Sequence, residues 1–390
     1  MKIIIPKITF WRVVAVLIVV SGLYSTYLRF TGGLSASTNL SDEFPWGLWI
    51  GFDILVGVGL AAGGFSICAI VHIFNIEKYK PLARPAILTA FLGYLLVIFG
   101  LMYDLGKPYN IWHAIIYWNP RSVMFEVAWC VMLYTTVLFL EFIPVVLEKY
   151  KLHKILTIMK KVAIPIMIVG IILSTLHQSS LGSLFLIIPQ KMSQIWYSPL
   201  LPLYFFISAV GAGLSMVIFE AFLSARAFNK GIEEDLLSNI GLFSVIVLMI
   251  GFIIKIIDLI ISRNFYLLLK LNNNSLLYFL EVLIGILIPF GLLIQKRFRE
   301  DRRWLYASSI MVISGFLLNR LNVSITSISP DVGVTYFPSV NEISVTLMLV
   351  VLGLWSFKMI AKYFPVFEEQ IIKENFGTEI QEKTVTNRIT

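Results

Sequence analysis

Ten stretches of apolar residues, each long enough to cross a lipid bilayer as a helix, constrain this chain more than any other feature. A helix rises ~1.5 Å per residue and the hydrocarbon core is ~30 Å thick, so roughly 20 apolar residues make one crossing. The stretches run about 9–28, 46–74, 86–103, 121–148, 162–188, 201–226, 238–262, 276–294, 304–320 and 341–363. In hydrocarbon every backbone N–H and C=O must be bonded internally, which leaves helices and closed barrels. The ~10-residue alternating segments of a barrel are absent. The chain is 58% hydrophobic and 14% charged, where soluble domains carry ~25% charged residues. It reads as an all-α integral membrane protein of about ten transmembrane helices, one polytopic domain over 1–390 with its core at about 9–363 and a cytoplasmic tail at 364–390. Spans two to five and six to nine are expected to form two four-helix bundles, flanked by spans one and ten.

Lysine and arginine orient the spans. The segments on the N-terminal side hold 23 of them, including Lys78, Lys80, Arg84, Lys149, Lys151, Lys154, Lys160 and Lys161. The opposite segments hold seven: Arg29, Lys107, Arg121, Lys191, Arg263, Lys270 and Arg320. Both termini are therefore expected in the cytoplasm, with the chain in the inner (cytoplasmic) membrane. The net charge of +8 calls for no nucleic-acid partner. The first stretch lacks a small-residue cleavage site and reads as retained.

Charges within hydrocarbon are costly and mark bundle interiors or water-filled paths. Asp53, Glu126, Glu141, Glu220, Lys255, Asp258, Glu281 and Glu342 all fall in or at the edge of spans. Lys255 and Asp258 are three apart and read as an internal ion pair; Glu281 reads as interfacial and stays unassigned. Glu126 and Glu141 share one helix, roughly 22 Å apart at ~1.5 Å per residue, as two stations for protons at different depths. Arg84, Tyr94 and Glu220 lie at middle or cytoplasmic depths and could extend such a path.

Cys68 and Cys130 lie inside spans, and no CxxC, CxxCH or Cys/His spacing for zinc, an iron–sulfur cluster or attached haem occurs. Electrons passing through this chain would come from clusters in another subunit. Of the histidines, His72 is near the cytoplasmic end of span two and His153 is a solvated loop residue, so a bis-histidine haem would need His113 and His177. No haem and no metal site are expected. His177-Gln-Ser-Ser-Leu-Gly182 ends span five and Asp104-Leu-Gly-Lys-Pro108 ends span three, on one membrane face. A histidine that exchanges a proton near neutrality, partnered by Asp104, suits a quinone oxygen. The candidate quinone set is His177, Gln178, Asp104, Asp53 and Trp49. Trp46, Trp49, Trp112, Trp118 and Trp196 fall at the outer boundary, as an aromatic belt does. The small residues of Gly57–Gly64 and Ser208–Ser215 read as helix-packing faces.

Trp46-Gly-Leu-Trp-Ile-Gly-Phe-Asp53, Leu60-Ala-Ala-Gly-Gly-Phe65, Asp104-Leu-Gly-Lys-Pro108, Phe125-Glu-Val-Ala-Trp-Cys130, His177-Gln-Ser-Ser-Leu-Gly182, Trp196-Tyr-Ser198 and Tyr336-Phe-Pro-Ser339 occur in this order. Together they resemble the NrfD/PsrC family of quinone-interacting membrane subunits over about residues 10 to 360. The resemblance implies a haem-free subunit that passes electrons between a ferredoxin-like iron–sulfur subunit, docked on the outer face, and menaquinone or another quinone as substrate. It implies catalytic subunits beyond that, with a nickel–iron hydrogenase as the expected one. It implies proton-pathway roles at Arg84, Tyr94, Glu126, Glu141, His177 and Glu220; for Arg84 and Tyr94 the resemblance is the main ground.

The reading is a quinone-reactive anchor of a respiratory oxidoreductase complex, surrounded by membrane lipid, with possible coupling to proton translocation. A proton-coupled secondary transporter is the rival of another class. Transporters favour midplane sites and repeats, whereas here the polar motifs gather at one face and no inverted repeat is evident. A di-haem or b-type cytochrome anchor is the remaining alternative.

Overall fold

The apolar stretches are helical, as hydrocarbon demands. The computed structural model describes residues 9–44, 46–228, 231, 234–328 and 336–367. Within these, ten helices are long and apolar enough to span a membrane. They are α1 (Phe10–Gly32), α2 (Trp49–Ile73), α3 (Glu77–Asp104), α4 (Val123–Lys149), α5 (His153–Ile187), α6 (Leu201–Phe228), α7 (Glu234–Ile261), α8 (Asn273–Leu293), α9 (Arg302–Thr326) and α10 (Val340–Tyr363). No strand occurs among the described residues. The chain is a multi-pass membrane protein.

Several helices outrun the apolar stretches. α5 starts at His153, not near 162, so Lys154, Lys160 and Lys161 ride on its first turns and His153 is helical instead of a loop residue. The backbone bonds that hold a helix persist past the hydrocarbon, where charged side chains are solvated. α3 starts before 86, with Pro81 among its first residues, where a missing N–H costs no bond; Arg84 thereby joins the helix. α9 runs on through a π-helical turn, Asn322–Thr326, into what was expected to be loop. Arg320 is consequently a buried helix residue and not a loop cation. The expected tail also begins packed: Val366 is buried beside Leu88, Phe142 and Val145. Residues 368–390, the remainder of that tail, lie outside the described residues.

α2 contacts α3 and α5, and α4 contacts both α3 and α5, which closes one four-helix bundle. α6, α7, α8 and α9 close a second in the same way. The bundles join where α2 meets α6 and α9 and where α5 meets α6, while α1 and α10 pack on each other and α10 lies on α3. Small residues permit these approaches. A Cβ on Gly63 would lie 2.5 Å from the Gly213 carbonyl oxygen, and one on Gly315 would overlap Gly285 Cα. α2–α6 and α8–α9 therefore touch backbone to backbone. α1 turns Gly22, Ser25 and Arg29 inward at helical spacing. Ser21 and Ser25 bond Ser344 (2.8 Å) and Asn341 (3.0 Å) of α10, and Val16, Leu17 and Val20 face outward.

Candidate functional site

α2 is not a uniform helix. Trp49–Val56 and Ala69–Ile73 are π-helical and Ala61 interrupts the segment between them. Widened turns of this kind recur at functional sites. The first carries Asp53, whose Oδ2 accepts the Thr346 hydroxyl of α10 at 2.8 Å. Gly100 of α3 leaves room for it, since a Cβ there would lie 2.8 Å from Asp53 Cβ. Asp53 lines one end of a cavity of about 420 Å³ between α2, α3, α6 and α10. Its walls are apolar (Val56, Leu96, Phe219, Leu349 among them), and Glu220, Ser224 and Lys358 line the far end. Glu220 accepts the Ser224 hydroxyl at 2.6 Å. The size falls within the ~300–1,000 Å³ of small-molecule sites, and a long apolar wall with few polar groups is what such sites share.

The other expected quinone residues lie elsewhere. Trp49 is buried, 5.7 Å from the Tyr103 ring, with its indole N–H donating to the Glu342 carbonyl (3.3 Å). Trp49 and Trp196 are thus core residues and not part of an aromatic belt. Gln178 donates to the Val58 carbonyl (2.9 Å), near the interruption of α2. His177 and Asp104 do not form the expected partnership. Neither ring nitrogen of His177 has a hydrogen-bond partner among the described residues, and Asp104 lies within electrostatic reach of Arg29 and Glu342. Arg29 donates to the Tyr103 and Leu105 carbonyls (2.6 Å each), closing the C-terminal end of α3.

The end of α10 near Asp104 is built around Glu342. The Glu342 carboxylate, fully buried, accepts the Asn39 and Ser339 backbone N–H groups (3.1 and 2.8 Å) and the Tyr336 hydroxyl. With the Ser339 side chain returning a bond to Glu342 N, this is a capping box. Burial first, and then the bond to Glu342, push the Tyr336 hydroxyl above the ordinary tyrosine range.

Within the first bundle the structure puts two of the expected proton-pathway residues, Tyr94 and His177, side by side. His177 is fully buried 5.6 Å from the Tyr94 ring, and Tyr94 is 4.7 Å from the Tyr134 ring. Both tyrosine hydroxyls, the Ser174 hydroxyl and both His177 nitrogens lack partners among the described residues. Buried polar groups are nearly always bonded, commonly to ordered water, so this cluster is suited to water bridging. Glu141 faces Gly170 of α5, within 3.4 Å of where a Cβ would stand there. Toward the lysine-poor end, Ser180 donates to Glu126 at 2.5 Å. Glu126 is in the first turn of α4 and exposed, contrary to the expectation of a buried acid. At the opposite end Arg84 makes a two-pronged bond to Glu148 (2.7 and 2.9 Å) and reaches the Pro365 carbonyl. Glu148, Glu141 and Tyr134 are seven apart, one face of α4 over two turns each. Glu220 stands apart from this line, in the groove.

Sequence reasoning missed a second cluster. Glu281, expected at an interface, is buried in the second bundle and accepts from Asn322 (2.6 Å), Asn319 (3.1 Å) and the Trp196 indole (3.3 Å). Arg320 donates to Asn319, Ser208 and the Phe205 carbonyl, and its guanidinium lies over the Phe205 ring at 3.7 Å. Lys255 and Asp258 do not close to an ion pair; Lys255 Nζ instead reaches the Trp196 carbonyl (3.4 Å) and the Tyr204 ring (4.9 Å). The signal was Asn319-Arg320-Leu321-Asn322, three strongly polar residues within four positions of an apolar span.

Residues 36–329 match the family described as Polysulphide reductase, NrfD, and the chain belongs to that family. It is 39% identical over 369 residues to a protein of Nitratidesulfovibrio vulgaris, covering 92% of this chain and 94% of that one. It is 32% identical over 343 residues to the probable Ni/Fe-hydrogenase 2 b-type cytochrome subunit of Escherichia coli, covering 87% of each. The menaquinone reductase integral membrane subunit of Nitratidesulfovibrio vulgaris is 26% identical over 378 residues, 90% of this chain and 89% of that one.

Proposed function

We propose that this chain is the quinone-reactive membrane subunit of a respiratory oxidoreductase complex, and that the groove between α2, α3, α6 and α10 receives the quinone. The observation that carries the reading is the groove itself: apolar along its length, of small-molecule size, with Asp53 at one end. The named relatives favour it over a transporter. Quinone as substrate supplies the redox chemistry; the chain supplies binding, exclusion of water and protons. The apolar walls take an isoprenoid tail, and the Asp53 carboxyl, steadied by Thr346, gives or takes the proton of a quinone oxygen. Glu220 is placed to load the far end. The line Glu141, Tyr134, Tyr94, His177 and the Ser180–Glu126 pair serves as a second, parallel route for protons.

The lysine-rich end and both termini are assigned to the cytoplasm. The opposite end, with exposed Tyr109, Trp112, Tyr117 and Trp118, is assigned to an iron–sulfur subunit and, through it, a catalytic subunit of the hydrogenase type. Haem is not part of this reading: the ring beside His177 is Tyr94, and those beside His113 are Trp112 and Tyr117. The E. coli relative's name keeps a b-type haem as the second reading, and the visible spectrum of the purified chain separates them. The main test is Asp53→Asn. Quinone reduction by the assembled complex should fall by about 100-fold or more with folding intact and quinone still co-purifying. Wild-type turnover would remove Asp53 from the chemistry.

A further inference from the structure

The second bundle holds a cavity of about 100 Å³ that the reading above does not use. That is room for water, one molecule needing ~10–15 Å³ by this measure. Lys255 of α7 and Glu281 of α8 both line it, with Tyr204 and Ser208 of α6, Tyr278 of α8 and Asn319 of α9. Trp196 holds both charged groups: its indole N–H donates to Glu281 while its carbonyl accepts from Lys255 Nζ. The Tyr278 hydroxyl is buried without a partner among the described residues, and so is Arg320 Nε beside the cluster. The helices loosen here as α2 does at Asp53: Leu283–Leu287 just after Glu281 and Asn322–Thr326 at its partner are π-helical. Gly285 and Gly315, where α8 and α9 touch, also line the cavity.

We infer that this cavity is a second proton-exchange site, separate from the line in the first bundle, in which water connects Lys255 to Glu281. Apolar packing alone requires neither a lysine and a glutamate on the wall of one cavity nor an unbonded tyrosine hydroxyl beside them, and a lysine is a poor choice where arginine would brace better. The step balances simply. A proton leaves Lys255 Nζ and reaches a Glu281 oxygen through water; an ammonium and a carboxylate become an amine and a carboxylic acid, and no electron moves. The titratable and charged groups facing the pair are Tyr204 from α6, Asp258 one turn along α7, Tyr278 from α8 and Arg320 from α9.

The test is infrared difference spectroscopy of the full chain in lipid nanodiscs across a pH step through neutrality, which needs neither quinone nor partner subunit and so fails or succeeds independently of the quinone reading. The expected result is a carboxylic acid C=O band that disappears in Glu281→Gln and whose midpoint moves by about one pH unit or more in Lys255→Met. Lys255→Arg keeps the cation but cannot release a proton near neutrality; the transfer to Glu281 should be lost, and with it the carboxylic acid band across the step, while the fold and melting temperature stay near wild type. Glu281→Gln spectra that superimpose on wild type would overturn the inference, as would a wild-type carboxylic acid band in Lys255→Arg. If Glu281→Gln fails to fold, the Lys255→Met midpoint decides: an unmoved midpoint overturns it.

Discussion

The two four-helix bundles deploy their polar residues in opposite ways. The first strings them along its axis: Arg84 and Glu148, then Glu141, then Tyr134 with Ser174, then Tyr94 with His177, then Ser180 with Glu126. The second gathers Glu281, Arg320, Asn319, Asn322, Trp196 and Lys255 at one depth. In the first, hydroxyls and imidazole nitrogens are left unbonded among the described residues; in the second, one carboxylate takes three donors. A bonded carboxylate in hydrocarbon holds helices together. Unbonded hydroxyls at intervals hold nothing together and call for water between them. The difference is between a carboxylate saturated with donors, which ties helices together whatever else it does, and hydroxyls that only water can connect.

The comparison can be broken most sharply at Glu281. Glu281→Leu leaves Arg320 and Lys255 buried without their anion, and should cost about 3–5 kcal/mol, read as a large drop in melting temperature in detergent. A melting temperature near wild type would mean that the donors gathered on Glu281 add nothing to the fold. Tyr134→Phe should do the reverse. Removing an unbonded hydroxyl changes stability by less than ~1 kcal/mol, yet proton-coupled quinone turnover in proteoliposomes should fall about 10- to 100-fold. If stability and turnover fall together, the first bundle is a brace as well.

A smaller effect is expected at alkaline pH from Tyr336. The folded state holds its phenolic proton to higher pH than the unfolded chain, whose tyrosines ionise near 10.0. That contribution is complete below the unfolded value and is lost as pH climbs past it. Tyr336→Phe should therefore flatten the alkaline loss of stability by up to ~1.4 kcal/mol per pH unit, measured by thermal melts in alkaline buffers. Arg84→Ala should matter least. Its two-pronged pair with Glu148, side chains 28% and 22% exposed, contributes on the order of 1 kcal/mol, and quinone turnover should hold within about twofold; a tenfold fall, about 1.4 kcal/mol, would return Arg84 to the proton route.

Much of the site was legible as depth. Glu141 and His177 stand out as candidates because an ionisable group within a long apolar run is costly. What depth conceals is azimuth. Asp53, Gln178 and His177 sit near one membrane face in the sequence, yet Asp53 opens on a groove, Gln178 clasps a carbonyl of α2 and His177 turns into a bundle. Lys255–Asp258 fits a three-residue helical pair, but the lysine goes to Trp196, fifty-nine positions away.

Taken alone, the sequence determined the ten crossings, the charge asymmetry between the two ends, the pairing of spans into two bundles and the family, because each depends on composition along a line or on motifs in order. Only the tertiary structure decided which polar residues share a cavity, which are saturated with donors and which stand unbonded. The physical reason is that hydrocarbon penalises a charge for its depth, which is a property of one helix, whereas a partner or a cavity is a property of the several helices that close around it.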